Sequence, residues 1–181
     1  MNYIEETLTA LAPSYDPEST GDLFTGLLVL RLGRYREQFA AHFADALNTD
    51  RSTRALLFFS ALYHDVAKPA CKTLGEDGRI RFWGHDEQGA EIAAERAKAL
   101  HLSNDEIQRL RLIIRHHMRV KFHSNRMEQE QKTPSRKAIY RFFRDAGEAG
   151  VDLVLLALAD TRATRGHTLT QETWSAVLDI C

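Results

Sequence analysis

The sequence predicts an all-α domain interrupted by one small β-hairpin. Apolar residues recur at three- and four-residue spacing over most of the 181 residues. Helix-capping signatures separate these stretches, and one segment, near 73–83, changes to period-two alternation.

In chain order, residues 1–20 hold a short amphipathic segment (Ile4, Leu8, Leu11) closed by Pro13 and Pro17. Leu23 to Leu47 reads as one long helix with Leu27, Leu30, Tyr35 and Phe39 as its apolar face. Asn48-Thr49-Asp50 is a turn, and Ser52 or Thr53 can cap the next helix. That helix runs to about Ala67 and carries His64 and Asp65 in its last turn; Pro69 stops it. Thr73 to Trp83 has Asp77-Gly78 at its centre, a hairpin signal. His85 then precedes an Ala-rich helix of about 86–101, on which Gly89, Ala93 and Ala97 fall four apart and allow close helix approach.

Ser103 to Glu106 is a capping-box pattern with Leu102 as its staple. The helix it opens places Ile107, Leu110, Ile113 and Ile114 on one face and ends at Arg115 to Met118. Residues 119–133 read as polar and irregular, and Thr133-Pro134 as a cap followed by a first-turn proline. Val151 to Thr164 is apolar almost all round, which predicts the most buried helix, ended by Gly166. Trp174 to Cys181 reads as a helix without a stop signal, so the chain is expected to be a piece of a longer polypeptide.

Composition excludes several classes. Lys and Arg (24) nearly balance Asp and Glu (25), so no global field draws the chain to nucleic acid or membrane. Two cysteines, Cys71 and Cys181, cannot form a disulfide framework, and the N-terminus lacks the pattern of a signal peptide. The longest apolar run, Val151 to Ala159, is too short to span a bilayer. A soluble protein of the reducing cytoplasm is expected.

The candidate chemistry lies in His and Asp residues set in apolar surroundings. His64-Asp65 ends an apolar helix, and a buried carboxylate must be paired, protonated or metal-bound. Asp160 falls on the face of Leu153, Leu156 and Ala157. Of His116 and His117, which diverge by about 100°, His117 continues the stripe Ile107, Leu110, Ile114. His85 opens the following helix. Singly, each reads as an ordinary core or capping residue. Jointly, nitrogen and carboxylate donors from four helices suit a divalent ion such as Mn, Fe, Co, Ni, Zn or Mg, which would acidify water and polarise a phosphoryl oxygen. Lys68 stands one turn beyond the pair, placed to meet a phosphate.

The order His64-Asp65, His85, His116-His117, Asp160 resembles the HD superfamily of metal-dependent phosphohydrolases. More narrowly, His64 to Pro69, Asp77 to Asp86, Leu102 to Ile107, Arg115 to Arg119 and Ala159 to Ala163 resemble the HD domain of bacterial tRNA nucleotidyltransferases and poly(A) polymerases. The resemblance covers about residues 22–178 and implies a helical HD bundle over 21–181, with 1–20 as an N-terminal extension. It also implies phosphodiesterase or phosphatase activity on a nucleotide or RNA phosphate, such as 2′,3′-cyclic and 2′-phosphates. His64, Asp65 and Asp160 would hold one ion; His85 and one of His116 and His117 would hold a second or contact phosphate. Lys68 and Arg119 would stabilise charge.

The sequence departs from that family at two points. Where the family carries a first metal-binding histidine, this chain has Gly26, and His42 is the only upstream alternative. No nucleotidyltransferase head is present, so this chain alone is not expected to add nucleotides. Residues 119–144 carry Arg119, Lys121, Arg126, Lys132, Arg136, Lys137, Arg141 and Arg144, interleaved with Tyr140, Phe142 and Phe143, a pattern suited to RNA phosphates. Two readings follow: a phosphohydrolase weakened by the missing histidine, or a non-catalytic HD-like body that binds RNA or a partner.

Overall fold

The most apolar segment of the chain becomes the axis of the fold. The computed structural model describes residues 2–19, 21–48, 51–130 and 132–181. In order these form α1 (Asn2–Ala10), α2 (Leu23–Leu32), α3 (Arg36–Ala44), α4 (Thr53–Tyr63), β1 (Lys72–Leu74), β2 (Ile80–Phe82), α5 (His85–Ala99), α6 (Asn104–His116), α7 (Met118–Glu130), α8 (Arg136–Ala146), α9 (Gly150–Arg165) and α10 (Gln171–Ile180). Leu153, Leu155, Leu156 and Leu158 of α9 are buried, and α1, α4, α6, α7, α8 and α10 pack around them. Ile4, Ala10 and Leu11, in and just after α1, belong to this same core cluster. No helix among the described residues is long and apolar enough to cross a membrane.

A second, smaller cluster joins Leu56 of α4, Ala90, Ala93 and Ala97 of α5, and Leu110 and Ile114 of α6. Small residues let α5 lie close. A Cβ on Gly89 would meet Ile114 Cγ2 at 3.4 Å and Ala67 Cβ at 3.7 Å. The strands pair antiparallel, with Lys72 opposite Phe82 and Leu74 opposite Ile80, as the Asp77-Gly78 signal implies. Gly84, at φ 75°, turns the chain from β2 into α5, a backbone state most residues resist. The capping box at Ser103 and Glu106 forms as expected.

Four expectations need correction. The helix expected over Leu23 to Leu47 is two helices split by a 3₁₀ turn at Gly33–Tyr35, and α3 stops at Ala44 because Asp45 is extended. The buried face is accordingly Leu28, Leu32 and Phe43, while Leu30 faces solvent. The helix expected to reach Ala67 ends at Tyr63: bonds from Val66 N–H to Tyr63 and from Lys68 N–H to Asp65 replace helical ones. Residues 119–133, read as irregular, are largely helix α7. Packing against α9 and α10 decides this, with Val120 and Ser124 as the buried contacts, so local apolar periodicity carries little signal. Ser135, rather than Thr133, caps α8 by accepting from Ala138 N–H. The turn expected at 48–50 includes Thr49 and Asp50, which lie outside the described residues; Asn48 Oδ1 accepts from Arg51 N–H.

Two polar clusters lock helices together. Glu106 is buried and accepts from Arg51 Nε at 2.6 Å, Arg51 Nη2 at 3.0 Å, Asn48 Nδ2 at 2.8 Å and Ser103 N–H at 2.7 Å. The Arg51 guanidinium outweighs burial and lowers the Glu106 pKa to about 2. Arg109 of α6 donates through Nη2 to Asp152 Oδ2 of α9 at 2.7 Å and to His42 Nε2 of α3 at 3.1 Å. Asp152 is wholly buried. His42 is thereby committed to a structural pair.

Each cluster yields a measurable outcome. A carboxylate whose pKa falls on folding stabilises the fold above its unfolded value and loses that contribution as pH drops through its folded one. Glu106→Gln should therefore cost about 2–3 kcal/mol in urea unfolding at neutral pH, and the deficit should shrink below about pH 4.5 and vanish near pH 2. A deficit independent of pH would contradict the pairing. Arg109→Ala, which strands the Asp152 carboxylate in the core, should cost about 3–5 kcal/mol; a loss under about 1 kcal/mol would show that the pair is dispensable.

Candidate metal centre

The centre forms where four segments meet: the turn after α4, the start of α5, the α6–α7 junction, and the middle of α9. In each case local backbone geometry fixes an imidazole or a carboxylate. His64 caps the C-terminus of α4, and its Nδ1 lies 2.8 Å from Ala61 O. His85 opens α5 with Nδ1 2.7 Å from Phe82 O. His117 ends α6 with Nδ1 2.6 Å from Ile114 O. A carbonyl only accepts, so each Nδ1 carries the proton and, in the neutral ring, each Nε2 carries a lone pair. This is how a protein presents Nε2 to a metal ion.

The Nε2 atoms converge on one carboxylate. Asp65 Oδ1 lies 3.5 Å from both His85 Nε2 and His117 Nε2. These two nitrogens are 3.3 Å apart. Among the described residues, Asp65, His85 and His117 form a group of three donors whose ligand atoms all lie within 4.8 Å of one another. Two neutral imidazoles in this tautomer direct lone pairs at each other and at an anion. A shared cation, a proton or a metal ion, relieves that. Asp65 Oδ1 and His64 Nε2 are buried without a hydrogen-bond partner, a cost that a coordinated ion removes. The donor set fits a divalent ion.

The other half of the cluster is wired differently. His64 Nε2 lies 3.3 Å from Asp65 Oδ2 and 3.7 Å from Asp160 Oδ1. Lys68 Nζ donates to Asp65 Oδ2 at 2.6 Å, and Lys121 Nζ approaches Asp160 Oδ2 at 3.5 Å. Burial disfavours a charged His64, but Asp160 and Asp65 outweigh it and push its pKa up to about 10. Burial likewise opposes the Asp65 anion, and His117, His64 and Lys68 overcome it, holding the carboxyl far below its usual range. Asp160 is lowered against its own desolvation by His64 and Lys121.

His64, Asp65, His85, His117 and Asp160 are thus brought together. His116, one residue from His117, stands apart. Burial lowers its pKa, and so do its neighbours Arg119 and Arg115. Arg119 pairs with Asp145 at 3.0 Å. No side-chain donor enters from α2 at Gly26. Lys121 reaches Asp160 instead of the surface on which the sequence places it. Nothing local signals this: Lys121 lies in the first turn of α7, a segment whose sequence reads as irregular, and the packing of α7 on α9 carries it there.

A family model described as "HD domain" matches residues 36–162, well over half of the chain. The CC-adding tRNA nucleotidyltransferase of Thermus thermophilus is 38% identical over 119 residues, 65% of this chain and 24% of that protein. The A-adding tRNA nucleotidyltransferase of Deinococcus radiodurans is 32% identical over 114 residues, 61% of this chain and 23% of that protein. The chain spans about a quarter of the length of these relatives. With its His-Asp turn, its histidine-bearing helix ends and its helical bundle, the chain belongs to the HD domain family.

Proposed function

We propose that this chain is a divalent-metal-dependent phosphohydrolase acting on a phosphate ester of a nucleotide or RNA. One observation carries the reading: His85 and His117, each fixed through Nδ1 to a backbone carbonyl, turn Nε2 onto the unpartnered Asp65 Oδ1. A divalent ion held there supplies Lewis acidity and lowers the pKa of water.

The remaining work falls to the chain itself. Asp65 stays anionic across the physiological range, so it needs no deprotonation to serve as a ligand. Lys68 holds its second oxygen and fixes the carboxylate plane. A cleft of about 350 Å³ is lined by Asp86 and Met118, the chain neighbours of His85 and His117, and by Arg115, Arg119, Phe122 and Arg141. Its guanidinium groups suit a phosphodiester. Both relatives bear names of tRNA enzymes, which supports an RNA or nucleotide substrate.

RNA contact fits α8. Tyr140 is 67% exposed and Phe143 49%, whereas Phe142 is buried. Arg136, Lys137 and Arg141 are exposed there. Exposed rings beside cations bind single strands by stacking and phosphate contact.

Two experiments test this. Protein purified without chelator should hydrolyse a 2′,3′-cyclic nucleotide with added Mn, Co or Ni, and EDTA should abolish the activity. His117→Ala should lower it on the order of 10²-fold or more; turnover indifferent to chelator and to His117 would refute the reading. For the RNA surface, the double variant Lys137→Ala/Arg141→Ala should flatten the log–log salt dependence of single-stranded RNA binding by about 1.4, that is ~0.7 per phosphate contact. An unchanged slope would place RNA elsewhere.

A further inference from the structure

We infer that the cleft between α7 and α8 is a nucleoside pocket, in which Phe122 stacks on the base and Arg141 meets a phosphate. Phe122 is then the residue that makes the site choose nucleotides over other phosphate esters. The inference deepens the phosphohydrolase reading above, on which its place in the reaction rests, by naming the residues that recognise the substrate.

Helical phase turns Phe122 away from the core. α7 buries Val120 and Ser124, and Phe122, about 200° round the helix from each, is 59% exposed. A single exposed ring on a convex surface needs no explanation. This one lines a concavity of about 350 Å³, within the range of small-ligand sites. Four helices build its walls: Asp86 of α5, Arg115 of α6, Met118 and Arg119 of α7, and Ala138 and Arg141 of α8. The small Ala138 leaves room opposite the ring.

The guanidinium groups in this cleft are not equivalent. Arg115 is paired with Glu87 at 3.1 Å, and Arg119 with Asp145 at 3.0 Å. Arg141 makes no ion pair or hydrogen bond among the described residues, so its donors are free for a phosphate. Asp86 adds an acceptor for sugar hydroxyl or base amino groups. His123, which also lines the cleft, meets the Phe122 ring edge-on at 5.7 Å. Burial, with Arg119 and Arg126, lowers its pKa, so it offers a neutral polar edge beside the ring.

The spacing matches a nucleotide. Met118, next to His117, and Phe122 share a helical face and lie about 6 Å apart along the axis. That step is on the scale of the ribose linking a phosphate to its base. An aromatic face with cations beside it binds any base, so the pocket reads the presence of a base more than its identity.

The test begins with calorimetry on the full chain in EDTA, where no turnover interferes. Adenosine 5′-monophosphate should bind at least tenfold more tightly than ribose 5-phosphate. Phe122→Ala should weaken the first by about fivefold or more and leave the second unchanged. Phe122→Trp should restore it, and Arg141→Met should weaken both alike. With Mn²⁺, Phe122→Ala should raise KM for a 2′,3′-cyclic nucleotide but not for glycerol 1,2-cyclic phosphate. Circular dichroism checks that each variant is folded. Equal affinity for the two 5′-phosphates, binding of neither, or an unchanged affinity in Phe122→Ala would overturn the inference. Metal-dependent turnover with no such preference would sink it alone. Selective binding without any turnover would sink the phosphohydrolase reading and leave the pocket standing.

Discussion

The centre depends on one half-buried carboxylate. Asp65 is drawn into a turn between α4 and the hairpin, where burial opposes its charge, and that charge has to be answered from every side. Lys68 answers it locally, three residues on, and His64 from the end of α4, while the Nε2 atoms of His85 and His117 face an Oδ1 left open to a cation. The bundle is arranged so that these ends meet. Gly89 and its neighbouring alanines bring α5 against the turn, and the α6–α7 junction falls at His117. Helix termini suit the purpose because the last carbonyls of a helix lack helical partners and are free to take an imidazole Nδ1–H. His64 and His117 each use such a carbonyl, three residues back.

Much of this was legible in the sequence. The helices with strong periodicity or clear caps, α4, α5, α6 and α9, were read in the right places because their buried faces are apolar and local. His64-Asp65, His85, His117 and Asp160 were legible as costly polar residues set in such faces, and the order they follow matched a known family. The ranking of His117 over His116 came from helical phase alone, and it agrees with the burial of His117.

What escaped was long-range. Residue 121 reads as one more cation in a basic run, and only the path of α7 across α9 brings it to Asp160. The end of α4 at Tyr63 was misplaced by several residues because turn bonds of the i→i+3 kind leave no mark on composition. The Arg109–Asp152–His42 cluster was invisible for a related reason. Its members are 110 residues apart at the extreme, and none interrupts an apolar pattern strongly enough to advertise burial. His42, considered as an upstream ligand, is held there by Arg109 and Asp152.

The hairpin gives the centre a weak point. His85 is oriented by the carbonyl of Phe82, the last residue of β2, and so by a sheet of only two three-residue strands. Leu74, Ile80 and Trp83 are exposed, so little apolar burial holds this sheet to the body. Isolated two-stranded ribbons are marginal in water, and such elements open by local unfolding at free energies well below that of the whole domain. The orientation of one imidazole is thus tied to the least cooperative element of the fold. Opening of the hairpin would release the carbonyl that orients His85, so anything that holds His85 Nε2 in the centre would also hold the hairpin closed.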